Sequence, residues 1–160
     1  MARIIKTPRL NQLDPEQLGQ AANLAFVGHL AALGIGGDDV LDRARQLAAE
    51  VASLVGLAQL GGPVARHWIA PLWPLLACPI GTVQPLEADP DRMEPSLKAE
   101  LSLVVLAVQA REALALGRLL EAPQLAALAS VSARTVRNNF GAFIKGERAR
   151  PWLEGLGVPL

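Results

Sequence analysis

The feature that most constrains this chain is the run A-P-Q-L-A-A-L-A-S-V-S-A-R-T-V-R-N-N-F at positions 122–140. It holds two short helical registers separated by Ser130-Val131-Ser132. Two helices joined by so short a turn cross steeply and touch closely, and a close-packed contact of that kind needs a small side chain. Ala126 stands at that point. Leu125, Ala129, Val131 and Val136 fall where apolar groups are buried between the two helices. Ala127, one position on, is expected to face outward. Ser132 is placed to cap the second helix, its hydroxyl accepting from a backbone N–H that has no partner within the helix. Ser132, Ala133, Arg134, Arg137, Asn138 and Gly141 are left on the outer face.

The run resembles the helix-turn-helix of many bacterial transcription regulators, of the form L-A-x-x-A-G-V-S-x-x-T-V-x-x, over about an eighth of the chain. It departs from that form at Ser130, which replaces the usual turn glycine. It departs again at Asn139, which stands where an apolar residue is common, with Phe140 beside it supplying the bulk. A second segment, A-R-P-W-L at 149–153, is similar to the A-x-x-W-L that follows the reading helix in some small bacterial regulators.

The resemblance implies that the helix 133–140 enters the major groove of double-stranded DNA. Arg134 and Arg137 would read guanine and Asn138 adenine. Ser132, Thr135 and Lys145 would hold phosphate oxygens. It further implies a sequence-specific transcriptional regulator rather than an enzyme, working as a homodimer on two half-sites about one helical turn apart. The competing reading of the same residues is a helical adaptor that docks on another protein without touching DNA. L-A-A-L-A alone says no more than amphipathic helix; the added V-S-x-x-T-V-R-N at this spacing favours the DNA reading.

Leu and Ala dominate a composition that is 51% hydrophobic and 4% aromatic. Both are strong helix formers, whereas strands favour β-branched and aromatic residues. No sustained apolar–polar alternation occurs. The fold class expected is all-α, a helical-bundle body with a C-terminal helix-turn-helix. Formal net charge is zero, but the charge is unevenly spread. Between 130 and 150 stand Arg134, Arg137, Lys145, Arg148 and Arg150 against Glu147 alone. Residues 1–13 carry Arg3, Lys6 and Arg9 with no acid. That segment reads as a tail, or as an arm reaching phosphates or the minor groove.

Proline and glycine punctuate the rest. Asp14-Pro15-Glu16-Gln17 combines a capping Asp with Pro at the first helical position, and Gly34, Gly36 and Gly37 close the helix that follows. A second helix is expected from Asp38 or Asp39 to about Leu60, where Gly61-Gly62-Pro63 stops it. Its apolar stripe is Val40, Leu41, Ala44, Leu47, Ala48, Val51, Leu54, Val55 and Ala58. A short proline-kinked helix is expected near 64–76 and a loop over 79–91. A long helix should run from about Ser96 to Leu120, with Leu97, Leu101, Val104, Val105, Val108, Leu114 and Leu116 on its inner side. Three regions result: a basic arm or tail at 1–13, a helical body able to carry the dimer interface at 14–120, and the DNA-binding region at 121–160. Separate domains and a single shared core both fit these boundaries.

Other chemistry is sparse. Cys78 is alone, which excludes an intrachain disulfide and fits a reducing, cytoplasmic setting. Residues 1–13 lack the apolar stretch of a secretory signal. The weakly charged stretch 68–85 contains Pro71, Pro74, Pro79 and Pro85, which argues against a membrane span. His29, His67 and Cys78 show no metal-ligand spacing. The acidic loop of Glu87, Asp89, Asp91 and Glu94 lacks the register of a calcium loop. No catalytic, metal or cofactor residue is expected. Trp68, Trp73, His67 and Cys78 read as core, with the lining of an effector pocket as the alternative.

Overall fold

The computed structural model describes residues 9–62 and 97–160. The expected helix at 64–76, the loop at 79–91, His67, Trp68, Trp73, Cys78 and the acidic cluster lie outside them, as do residues 1–8 of the basic segment. The fold is all-α, with one pair of two-residue strands among the described residues. A short 3-10 turn, Leu10–Gln12, precedes α1 (Pro15–Ala32) and α2 (Asp38–Leu60). After the undescribed segment come α3 (Leu97–Ala115), β1 (Leu120–Glu121), α4 (Ala122–Ala129), α5 (Ala133–Phe140), β2 (Phe143–Ile144) and α6 (Gly146–Gly155).

The local signals act as their chemistry dictates. Asp14 Oδ1 accepts from the backbone N–H groups of Glu16 at 2.9 Å and Gln17 at 3.0 Å, satisfying two donors that α1 leaves open. Asp38 and Asp39 lie in the first turn of α2, where negative charge meets the positive end of the helix dipole. Gly61, at φ 83°, ends α2, and its N–H returns to Leu57 O at 2.9 Å.

Helices α1 and α2 form a hairpin whose spacing is set at Gly19. A Cβ there would stand 2.5 Å from the carbonyl oxygen of Ala48, so only glycine admits this approach. From the stripe read on α2, Ala44, Leu47, Val51, Leu54, Val55 and Ala58 are buried, and Leu57 joins them. Leu41 is exposed, because it lies in the first turn, ahead of the buried run that starts at Ala44. Helix α3 packs on α2 and on α4, and its buried residues accordingly surround much of its girth: Leu101, Val104, Val105, Ala107, Val108, Ala110, Arg111, Ala113 and Leu114. It stops at Ala115, five residues before the expected end. Gly117 turns the chain at φ 64°, and the Arg118 N–H returns to Ala113 O at 2.8 Å. Leu116 consequently sits in the turn, exposed rather than inward.

One apolar cluster runs from Leu10 through α2 and α3 to Leu153 of α6. A polar device lies within it. Arg111 is 7% exposed, and its guanidinium donates to Ala58 O at 2.8 Å, Gln59 O at 3.0 Å and Pro159 O at 2.7 Å. Burial lowers its pKa from the ordinary arginine value. The Gln59 side-chain amide in turn donates to Leu10 O and Leu13 O, each at 2.8 Å, tying the 3-10 turn to the end of α2. No helix among the described residues is long and apolar enough to cross a membrane.

Arg111→Ala should lower unfolding stability by about 2 kcal/mol, because one buried and two partly buried carbonyls then lose their donor. Arg111→Lys should recover little of it, since a point-charge ammonium cannot span three acceptors as a planar fork does. Urea unfolding followed by circular dichroism checks both; a parent-like midpoint for the alanine variant would contradict the role given to this side chain.

Candidate nucleic-acid interface

The C-terminal unit is built as a closed frame. β1 and β2 pair antiparallel with Leu120 opposite Ile144 and Glu121 opposite Phe143, and the Ala122 N–H extends the ladder to Ala142 O at 3.0 Å. Leu120 and Ile144 point inward and are buried; Phe143, on the other face, is 67% exposed. The ladder joins the start of α4 to the chain leaving α5, so both ends of the helical pair are fastened together. Two-residue strands are too short to show alternation, and the sequence reading missed them. It missed a second device as well. Glu121 and Gln124 form a reciprocal capping box at the start of α4, with the Glu121 N–H donating to Gln124 Oε1 at 2.9 Å. The Glu-x-x-Gln spacing was legible there.

The turn between α4 and α5 runs through Ser130 in the left-handed conformation, φ 56° and ψ 38°. Among the described residues it is the one non-glycine with positive φ. The Val131 N–H returns to Ala126 O at 3.1 Å, closing α4. Ser132 is the N-cap of α5: its hydroxyl oxygen accepts the Thr135 N–H at 3.0 Å and lies 2.8 Å from the Thr135 hydroxyl. These two hydroxyls are therefore engaged with each other at the entrance of α5. Gly141, φ 90°, ends the helix, its N–H returning to Arg137 O at 2.9 Å.

Val136 and Leu125 are completely buried at the crossing of α4 and α5, with Ala126 and Ala129 around them and Val131 half-buried. The expectation that Ala127 faces outward is wrong. Ala126 and Ala127 are each 5% exposed, and Leu128 is buried too. The reason is that α4 lies between α3 on one side and α5 on the other, which leaves an eight-residue helix almost no solvent face.

Each of the sequence-derived contact residues, Ser132, Arg134, Thr135, Arg137, Asn138 and Lys145, is exposed. Arg134, Arg137 and Asn138 stand at i, i+3 and i+4 and so share one face of α5. Their side chains make no ion pair or hydrogen bond with a described residue. Asn139 is exposed, while Phe140 is half-buried and meets Trp152 of α6 edge-on, ring centroids 5.2 Å apart at 74°. The Arg148 guanidinium lies 5.6 Å from the centroid of the Phe140 ring. Of the cations counted at 130–150, Arg150 is committed elsewhere, donating to Leu114 O at 3.0 Å near the end of α3.

Among the described residues no group of histidine, cysteine, aspartate and glutamate is arranged to hold a metal ion. Two clefts among the described residues are open to solvent. One, of about 240 Å³, lies between α3 and α4 and is lined by Gln109, Glu112, Arg118 and Gln124. Comparison of the chain with protein-family models, with curated proteins and with solved structures gave no match.

Because both alanines of α4 are enclosed, Ala126→Leu and Ala127→Leu should each overpack the unit and destabilise it by about 1–3 kcal/mol. Thermal and urea unfolding of the two variants side by side checks this. A parent-like Ala127→Leu would show that α4 is not held between α3 and α5.

Proposed function

We propose that this chain is a sequence-specific DNA-binding protein of the bacterial helix-turn-helix type, a transcriptional regulator that inserts α5 into the major groove. The observation that carries the reading is the outward face of α5. Arg134, Arg137 and Asn138 project together from a short helix whose opposite face is anchored through Val136, and no described residue engages their polar ends. Arginine pairs bidentately with guanine and asparagine with adenine at major-groove edges. Lys145 stands at the cap of α6, next in the chain after the ladder, where it would hold a phosphate. Ser132 and Thr135 would bring their paired hydroxyls to the backbone at the entrance of α5.

The adaptor reading has one observation in its favour. Leu116, Leu119 and Phe143 are exposed apolar side chains on the turn and ladder beside the helical pair. Salt separates the two readings, because binding through phosphates weakens steeply as salt rises.

Arg134→Ala and Arg137→Ala should each cost about 1–3 kcal/mol on a selected site while the fold stays intact. Selection from a random duplex library followed by titration of each variant supplies the measurement. Two variants that bind the selected duplex like the parent would remove α5 from the base edges.

One helix of this size contacts few base pairs, and regulators of this type read paired half-sites as dimers. The chain should therefore form a homodimer. Sedimentation equilibrium at micromolar concentration, with and without the selected duplex, tests it, and a monomer under both conditions contradicts it.

A further inference from the structure

We propose that Arg148 is a further phosphate contact of the same surface, and that Phe140 is the residue that positions it; the proposal rests on the DNA reading of α5. Arg148 and Trp152 stand at i and i+4 on α6, and both meet the ring of Phe140, the last residue of α5. Trp152 meets the Phe140 ring edge-on at 5.2 Å, and the Arg148 guanidinium lies over it at 5.6 Å. A cation over an aromatic face is attracted by the ring quadrupole. The planar guanidinium so held keeps its N–H donors along its edge, suited to a phosphate oxygen. Arg148 is exposed and makes no side-chain hydrogen bond or ion pair with a described residue, whereas Arg150, two positions on, is tied to Leu114 O.

The placement has a consequence along α5. Arg134 lies in its first turn, Arg137 in its second, and Arg148 is brought to its far end by a different helix. Arginines thus stand in its first turn, in its second turn and against its last residue. The first two are carried on flexible stems; the third is pre-oriented by the ring. Lys145 precedes Arg148 by one turn on α6, and the Arg148 N–H returns to Lys145 O at 3.0 Å. The two cations therefore stand one turn apart at the start of that helix.

The experiment is fluorescence anisotropy with a selected duplex and a random duplex of equal length, each titrated across a series of salt concentrations. Arg148→Ala should weaken both duplexes by the same factor, roughly three- to tenfold, and should lower the slope of log affinity against log salt by about 1. Arg148→Lys should retain the slope. Phe140→Leu should lose part of it, and in the Arg148→Ala background should leave the slope where Arg148→Ala alone puts it, whatever it does to affinity through the Trp152 contact. An unchanged slope in Arg148→Ala, whatever the loss of affinity, overturns the proposal and leaves Arg148 as a prop for the end of α5. A slope change by Phe140→Leu in the absence of Arg148 overturns the positioning role of the ring. A parent chain that binds neither duplex even at low salt overturns the DNA reading itself, and is told apart by the parent failing along with its variants.

Discussion

The buried guanidinium of Arg111 is the interaction on which the rest of this structure depends. Helix ends leave carbonyls without intrahelical partners, and burying them unsatisfied is costly. Here the last turn of α2 is partly buried beside α3, and the fork of Arg111 takes Ala58 O and Gln59 O together. The cation stands at the negative end of the α2 dipole, which offsets part of its own desolvation. The same fork reaches Pro159 O and so binds the last residues of the chain to the body. Gln59 extends the chain of contacts to Leu10 and Leu13. Segments as far apart as positions 10, 59, 111 and 159 are joined through two polar side chains within an apolar cluster. Gly61 completes the arrangement: a Cβ there would stand 2.9 Å from Arg111 Nη1.

The C-terminal unit is stable by enclosure rather than by size. Helices of eight residues are too short to persist alone in water. Each is held by its neighbours: α4 between α3 and α5, and α5 by Val136 on one side and the Phe140–Trp152 contact at its end. The strand pair fastens the entrance of α4 to the exit of α5. Ser130 accepts a left-handed conformation that glycine would take with less strain, and the return of the Val131 N–H to Ala126 O accompanies it. This rigidity matters for the proposed function. A reading helix must present its side chains within a narrow tolerance, and a helix fixed at its cap, its middle and its last residue does so at low entropic cost.

Charge is organised in the same economical way. A chain of zero formal net charge has no long-range attraction for a polyanion as a whole. The cations near α5 act locally, and the structure sorts them. Arg150 is spent on the end of α3, Arg148 is held over Phe140, and Arg134, Arg137 and Lys145 extend into solvent. Counting charges along the sequence treats these five alike; their partners make them different.

Much of the fold was legible because its determinants are local. Asp14 before Pro15, the glycines at 34–37 and the Gly61-Gly62 stop delimit α1 and α2 through backbone conformations and caps that need no tertiary partner. The cap at Ser132, the apolar positions Leu125, Ala129 and Val136 and the exposure of Arg134, Arg137 and Asn138 were read from the likeness of the run to a helix-turn-helix pattern, which is itself local. What the sequence could not show depends on elements remote from one another. The outward reading of Ala127 failed because one-dimensional periodicity assigns a short helix one buried face, and α4 has two. Leu116 and the premature end of α3 turned on Gly117, and the strand pair was too short for any periodic signal. The role of Arg111 was invisible, since an arginine at helical spacing reads as a surface charge until α2 and the chain's last residues arrive to supply its acceptors. Local backbone chemistry was thus determined by the sequence itself; which side chains are enclosed, and which cations are already spent, was decided only when distant segments met in one core.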